Sequence, residues 1–414
     1  MRKKLRSKIK RWSRLVGGLC AISLILAFPS IGIGRDINLD ALYIKKSSVD
    51  LARIIQLKLD MYAAIGATEV DTGVIFAGWI SGDALGYVKE IPDSSQNLIV
   101  VHTLSTGKKT EVARIKGTVA AARCATGGFM VVKRLDTGTR GIPASEMLVV
   151  DLKTGKTTSF PSEFPFMDFD IPREENSVVF ETSRGMEEFF PATGVRKVLL
   201  EKKRYSEISS PAGPIIPLTS PGRGAMLLMS GGGGGYDALL VQNGTRTAIK
   251  GITSAAEIAW LGPQSLVFRT GAAGRYGVIM LSLDGMKSTS ILESSLNANV
   301  MYSHYAGIIS MQMDGMACMY VTGERKFSTL GIEAEDILFD PVGAQFVGLF
   351  NKKLYVVPLQ NAQKRQIELA RTWENIRQAY EKCRENRSVH ANDYSLDYLT
   401  RKINLYSLLL KGSR

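Results

Sequence analysis

The side chains that could carry chemistry in this sequence are few and poorly arranged for it. The three histidines, His102, His304 and His390, are too far apart to form a linked site, and there is no HExxH pattern to set two of them on one helical face around zinc. Of the four cysteines, Cys20, Cys124, Cys318 and Cys383, no two form a CxxC pair, so neither a zinc site nor a disulfide framework is indicated. Cys124 and Cys318 stand in apolar runs, where a thiol serves as a small buried hydrophobe. A GxSxG nucleophile elbow is absent, and the chain is short of the residues a hydrolase domain would need. The glycine run 231–235 invites a phosphate-loop reading, but it is followed by Tyr236-Asp237 rather than by the lysine and hydroxyl that grip phosphate and metal. A loop using glycine's backbone freedom fits it better. Carboxylates are plentiful, yet a glycosidase pair is defined by its separation in space. No catalytic residue, metal ligand or cofactor is therefore expected.

What remains is recognition chemistry. Arg and Tyr make strong contacts at interfaces, and Arg140, Tyr236, Arg275 and Tyr276 all lie in Gly-rich or polar stretches that read as loops. They are the candidate binding residues. Their use depends on a scaffold that brings distant loops to one face.

Charge narrows the partner. The formal net charge is +13, but Arg2, Lys3, Lys4, Arg6, Lys8, Lys10, Arg11 and Arg14 precede an uncharged stretch over 15–34. Setting those eight aside leaves about +5, scattered without the clustering that phosphate binding needs, so nucleic acid is not an expected partner. The basic flank and apolar run read as an export signal. The run's length lies between a signal-peptide core and a membrane-spanning helix, so cleavage near Gly32 and Gly34 and retention as an anchor with its N-terminus in the cytoplasm both stay open. Cys20 follows Gly18-Leu19, which does not fit lipid attachment.

The scaffold is legible as a repeat. A short turn recurs about every forty residues, at Ser105-Thr106-Gly107-Lys108, Lys153-Thr154-Gly155-Lys156, Ala192-Thr193-Gly194-Val195, Gln242-Asn243-Gly244-Thr245, Leu283-Asp284-Gly285-Met286 and Val321-Thr322-Gly323-Glu324. Each follows a β-rich run and precedes a second short one, as in a hairpin whose glycine takes a positive φ. A second hairpin precedes it in each unit, with turns at Thr126-Gly127-Gly128, Glu175-Asn176, Gly222-Arg223-Gly224, Gly262-Pro263-Gln264, Ala306-Gly307 and Val342-Gly343. Four strands in about forty residues is the unit of a β-propeller. The units fall at 72–115, 118–161, 166–201, 215–252, 255–293, 300–331 and 336–369, which predicts an all-β propeller of about seven blades.

In such a ring the loops between second and third strands share a face with the inter-blade connections. The longer stretches 82–96, 135–146, 231–237 and 271–277 would lie there. Ahead of the ring, segment 35–71 contains Ile55, Leu57, Leu59 and Met61 alternating with Gln56, Lys58 and Asp60, which predicts a strand that completes the last blade. Beyond it, in 370–414, Trp373, Ile376, Tyr380 and Cys383, then Leu396, Leu399, Ile403, Tyr406 and Leu410, follow helical spacing and predict a helical pair packed on the ring.

The units, as in Val149-Val150-Asp151-Leu152 leading into Lys153-Thr154-Gly155-Lys156 and in Leu281-Ser282-Leu283-Asp284-Gly285, resemble the TolB-type and WD-like propeller repeats of bacterial cell-envelope proteins. The Gly-His and Trp-Asp signatures of the eukaryotic form are absent, and the aspartate-rich strand entry of TolB-type repeats is kept only at Asp168, Asp170 and Asp340. The resemblance covers about 72–369 and implies a propeller architecture, while the leader implies a place outside the cytoplasm, periplasmic or anchored to the inner membrane by 15–34. The expected function is a non-catalytic binding or assembly module for envelope proteins. The alternative is an extracytoplasmic propeller enzyme acting on a glycan or peptide.

Overall fold

The structure, a computed structural model, describes residue 40 and residues 49–137, 143–162, 168–172, 176–205, 215–232, 235–250, 252, 258–272, 275–294, 298–300, 307–385 and 393–412. Seven four-stranded antiparallel sheets form a β-propeller. Blade one holds β2 (Val74–Ser81), β3 (Ala84–Glu90), β4 (Gln96–Thr103) and β5 (Lys108–Lys116). Blade two holds β6 (Thr118–Ala125), β7 (Phe129–Thr137), β8 (Pro143–Asp151) and β9 (Thr157–Ser162). Blade three holds β10 (Phe169–Asp170), β11 (Val178–Thr182), β12 (Gly185–Phe190) and β13 (Val195–Glu201). Blades four and five hold β14 (Ile215–Thr219), β15 (Ala225–Gly232), β16 (Gly235–Gln242) and β17 (Thr245–Ile249), then β18 (Ile258–Gly262), β19 (Ser265–Ala272), β20 (Arg275–Ser282) and β21 (Lys287–Ser294). Blade six holds β22 (Ala298–Val300), β23 (Ile308–Met313), β24 (Met316–Val321) and β25 (Lys326–Glu333).

Blade seven is built from both ends of the ring. Its sheet runs β26 (Asp336–Phe339), β27 (Gln345–Phe350), β28 (Lys353–Pro358) and then β1 (Thr68–Thr72), which pairs with β28 through Thr68 opposite Val356 and Thr72 opposite Lys353. An early strand thus completes the last blade and removes two open edges. It is not the strand expected at 55–61. Those residues belong to helix α1 (Val49–Ala64), whose buried residues Leu51, Ile54, Lys58, Met61 and Tyr62 recur at helical spacing. The alternation was misleading because Lys58, polar by type, sits on the buried stripe.

Strand alternation explains how the core is shared. In β7, Phe129 and Val131 pack toward Phe169, Ile171 and Val178 of blade three, while Met130 and Val132 pack toward Ile75, Phe76 and Val88 of blade one. Successive side chains of a strand point to opposite faces, so one strand feeds two interfaces. Fourth strands such as β5 and β13 are largely exposed, which places them on the rim. The glycines serve close approach as well as turns: a Cβ on Gly78 would lie 2.6 Å from Cys124 Cβ, so blade two's first strand seats its cysteine in a notch of blade one. The recurrent turns place Gly107, Gly155, Gly194, Gly244 and Gly285 at positive φ, whereas in blade six that conformation falls on Arg325, at φ 53°.

Inner strands are tied across blades by a repeated device. Trp79 Nε1 of blade one donates to Leu338 O of blade seven at 2.9 Å, and Trp260 Nε1 of blade five donates to Leu218 O of blade four at 3.0 Å. After β28 come α2 (Leu359–Lys364), α3 (Gln366–Glu385) and α4 (Asp393–Gly412). They pack with α1 at the junction of blades six and seven, where Trp373, Ile376, Tyr380, Cys383, Leu399, Ile403 and Tyr406 are buried in one cluster with Leu330, Ile332 and Phe346. Leu396 is exposed. Among the described residues no helix is long and apolar enough to cross a membrane, and the 15–34 run lies outside them.

Candidate functional site

The turn between second and third strands shares a face with the inter-blade connections, and its length varies around the ring. In blades two, four and five the two middle strands are eight or nine residues long, against five or six in blades three, six and seven. The extra length projects. In blade four the first strand ends its pairing at Ile215 opposite Ser230, and the fourth at Ile249 opposite Ala238, while β15 and β16 go on to pair Gly231 with Tyr236 and Gly232 with Gly235. In blade five, β19 continues past its last described partner in β18; β21 accompanies β20 as far as Tyr276 opposite Ser294, and the pair Ala272 with Arg275 extends beyond both flanking strands. In blade two, Asp136 and Thr137 pair with Ala144 and Pro143 beyond both flanking strands.

Three of the four candidate residues therefore stand on the ends of projecting hairpins: Tyr236 in blade four, with Arg275 and Tyr276 in blade five beside it. Arg140 falls in the link between β7 and β8, outside the described residues, as do His304 and His390. Residues 231–232 pair with 235–236 and 271–272 with 275–276 as ends of hairpins rather than as open loops, and 82–96 contains strand β3 between two turns. His102 is buried in β4 with Nδ1 unpartnered; burial, reinforced by nearby Lys109, lowers its pKa and favours the neutral ring.

The aspartates at the entry to blade three bind blade two to its neighbour. Lys133 Nζ, fully buried in β7, donates to Asp168 Oδ1 at 2.7 Å and to Ser162 Oγ, and Ser162 donates to Asp168 Oδ2 at 3.0 Å. Burial lowers the lysine pKa against the pull of Asp168. The ammonium gives its protons to both partners, so the serine oxygen is an acceptor in a neutral cluster rather than an activated nucleophile. Two residues on, Asp170 accepts from Thr219 N of blade four at 2.7 Å and faces Arg123 of blade two, whose other nitrogen donates to Ile171 O at 3.3 Å. Burial raises the Asp170 pKa in spite of these partners. The other first-strand carboxylates are likewise engaged by backbone: Asp336 by Ile337 N, and Asp340, just after β26, by Ala344 N and Gln345 N.

The densest cluster of ionisable groups lies elsewhere, and nothing in the sequence pointed to it. At the junction of α1, α3 and α4 with blade six, Lys58 Nζ donates to Asp40 Oδ2 at 2.6 Å and to Glu333 Oε2 at 2.7 Å, and Lys402 Nζ donates to Glu333 Oε2 at 2.7 Å and to Asp314 O. Four tyrosines close it. Tyr380 and Tyr398 donate to Asp40 Oδ1 at 2.7 and 2.8 Å, Tyr406 donates to Glu333 Oε1 at 2.6 Å, and Tyr62 donates to Glu333 O at 2.7 Å. Burial alone would raise the Asp40 pKa, but Lys58 and Lys402 outweigh it and hold the carboxyl at about 2. Glu333 is lowered for the same reason, its burial being overcome by Lys402 and Lys58. Among the described residues no group of three or more His, Cys, Asp or Glu is placed to hold a metal ion.

No protein-family model matches the sequence, and no curated protein matches it. Solved structures similar to it include TolB from Acinetobacter baumannii, 12% identical over 66% of this chain and 78% of that one with a TM-score of 0.41. Others are an oligogalacturonate lyase from Vibrio parahaemolyticus, 10% identical over 70% and 92% with a TM-score of 0.49, and the β-propeller domain of the Trilobed protease from Pyrococcus furiosus, 10% identical over 69% and 95% with a TM-score of 0.49. The architecture of the chain is that of a seven-bladed β-propeller. It is the ring of seven four-stranded blades itself that matches the expectation from the repeated turns.

Proposed function

We propose that this protein is an exported, non-catalytic propeller that binds or assembles proteins of the bacterial cell envelope through the face carrying the long middle hairpins. The observation that carries the reading is the asymmetry of that face: hairpins project in blades two, four and five, and two neighbours among them bear Tyr236, Arg275 and Tyr276 at their tips. Aromatic and arginine side chains on a rigid scaffold are the usual anchors of a protein interface. Export rests on the basic flank and apolar run at the N-terminus, which either is removed or holds the ring at the inner membrane. The inner-strand carboxylates Asp170, Asp336 and Asp340 already serve the backbone, which leaves them poorly suited to acid and base roles.

The test is crosslinked capture of the tagged full-length protein from envelope fractions, compared with Tyr236→Ala and Arg275→Ala variants. A protein partner retained by the wild type and lost from both variants supports the binding face. Co-purifying glycan or peptide fragments, turned over in a purified assay, would replace this reading with an enzymatic one.

A further inference from the structure

We infer that the helical bracket at blades six and seven is a carboxylate-binding site, filled in this chain by Asp40 of the segment ahead of the ring.

The argument starts from charge. The ring and the helices α1 and α4 bring three ionisable groups to the buried centre, the ammoniums of Lys58 and Lys402 and the carboxylate of Glu333, which together carry one excess positive charge. Lys58 and Lys402 have side chains 1% and 2% exposed, so water cannot supply the missing negative charge, and an uncompensated buried ammonium is costly. The balance comes from a residue eighteen positions before Lys58, outside the helices that form the site.

Geometry specifies the anion. Asp40 is gripped by three donors from three different helices, Lys58 Nζ on Oδ2 and the Tyr380 and Tyr398 hydroxyls on Oδ1. This arrangement uses both oxygens of a planar group, as a carboxylate requires. The donors are held by partners of their own. Lys58 is shared with Glu333, lies 5.4 Å from the centre of the Tyr380 ring, and Tyr380 stacks at 6.1 Å on Tyr406, whose hydroxyl is fixed by Glu333. Glu333 and the stacking of Tyr380 on Tyr406 thus hold two of the three donors in place apart from the occupant. Its ligand class is a small carboxylate or an acidic side chain. Its use in the intact chain is to dock the segment that leads from the N-terminus onto the ring. The inference does not depend on the proposed binding face.

The test is removal of the occupant in the full-length protein. Asp40→Gly should lower the melting temperature, and sodium formate should restore about half or more of the loss in a saturable manner, since a ligand bound only by the native state stabilises it by mass action. Sodium chloride at equal ionic strength should not. Asp40→Asn should lose stability without formate recovery, because the amide occupies the space. Adding Tyr380→Phe and Tyr398→Phe to Asp40→Gly should abolish the recovery. The inference is overturned if Asp40→Gly melts like the wild type, if chloride restores it as well as formate does, or if it fails to fold in formate as in chloride.

Discussion

Two charged clusters secure the place where the ring closes, and they work under opposite conditions. At the rim, Asp71 of β1 accepts from Lys89 at 2.5 Å, Tyr87 at 2.7 Å and Lys109 at 3.1 Å, tying blade seven's outer strand to blade one. Its lysine partners have side chains 29% and 42% exposed. In the interior, Lys58 and Lys402 are almost wholly buried with Asp40 and Glu333. Water and salt weaken the first cluster but make each of its members cheap to lose. The second is screened by nothing, so each member is indispensable once the others are present.

Breaking the interior cluster should therefore cost most. Glu333→Ala leaves the buried Lys402 ammonium without a carboxylate and Lys58 with Asp40 alone, and should lower the unfolding free energy by about 3–5 kcal/mol in urea titration. The double variant Glu333→Leu with Lys402→Met, which leaves the Lys58 and Asp40 pair intact, should cost less than the single one. Acid should open the same cluster next. Asp40, lowered from 3.8 to about 2, binds its proton later in the folded chain than in the unfolded one. Its stabilisation, about 2 kcal/mol, is present above pH 4 and lost as pH falls toward 2, and a stability profile of Asp40→Gly should lack that limb.

At the rim, Asp71→Ala should cost about 1–2 kcal/mol, and 1 M salt should shrink that penalty by about half while leaving the Glu333→Ala penalty in place. The smallest effect belongs to His102, which is kept neutral by burial and faces Lys109 and Asp71. The unfolded chain takes up its proton first as pH falls below about 6.5, so the wild type should lose less than about 1 kcal/mol there. His102→Gln should remove that loss, as read from melting temperatures at pH 7 and pH 5.

The ring was legible because its signals are local. Thr-Gly and Asn-Gly turns and period-two apolar runs are properties of neighbouring residues, and they placed the first six blades and the start of the seventh, whose expected stretch 359–369 is helical instead. The helical pair was legible from the Trp373, Ile376 and Tyr380 stripe for the same reason. Helix α1 was not, since its pattern contains Lys58, whose burial is possible only through carboxylates 18 residues before it and 275 residues after it. Glu333, at the end of a rim strand, carried no readable signal for the corresponding reason. The projecting hairpins were half legible: glycine marked their tips, but the pairing of Gly231 with Tyr236 that makes them hairpins is set by the register of whole strands. Trp79 and Trp260 carried no readable signal, because the carbonyls they reach belong to other blades.

The closing strand also sets a timetable for the protein's manufacture. Glu69 and Tyr355, opposite each other in blade seven, are separated by 286 residues. As the chain is made from its N-terminus, β1 precedes the other strands of the ring and its partner follows them, so both edges stay unsatisfied while the blades between are synthesised and during any passage across a membrane. Such a contact is slow to form, and bare strand edges invite pairing with other chains. Strand β1 must therefore be kept from premature partners until β28 arrives, and a chain cut short before Lys353 would be left with β1 as an open, adhesive edge.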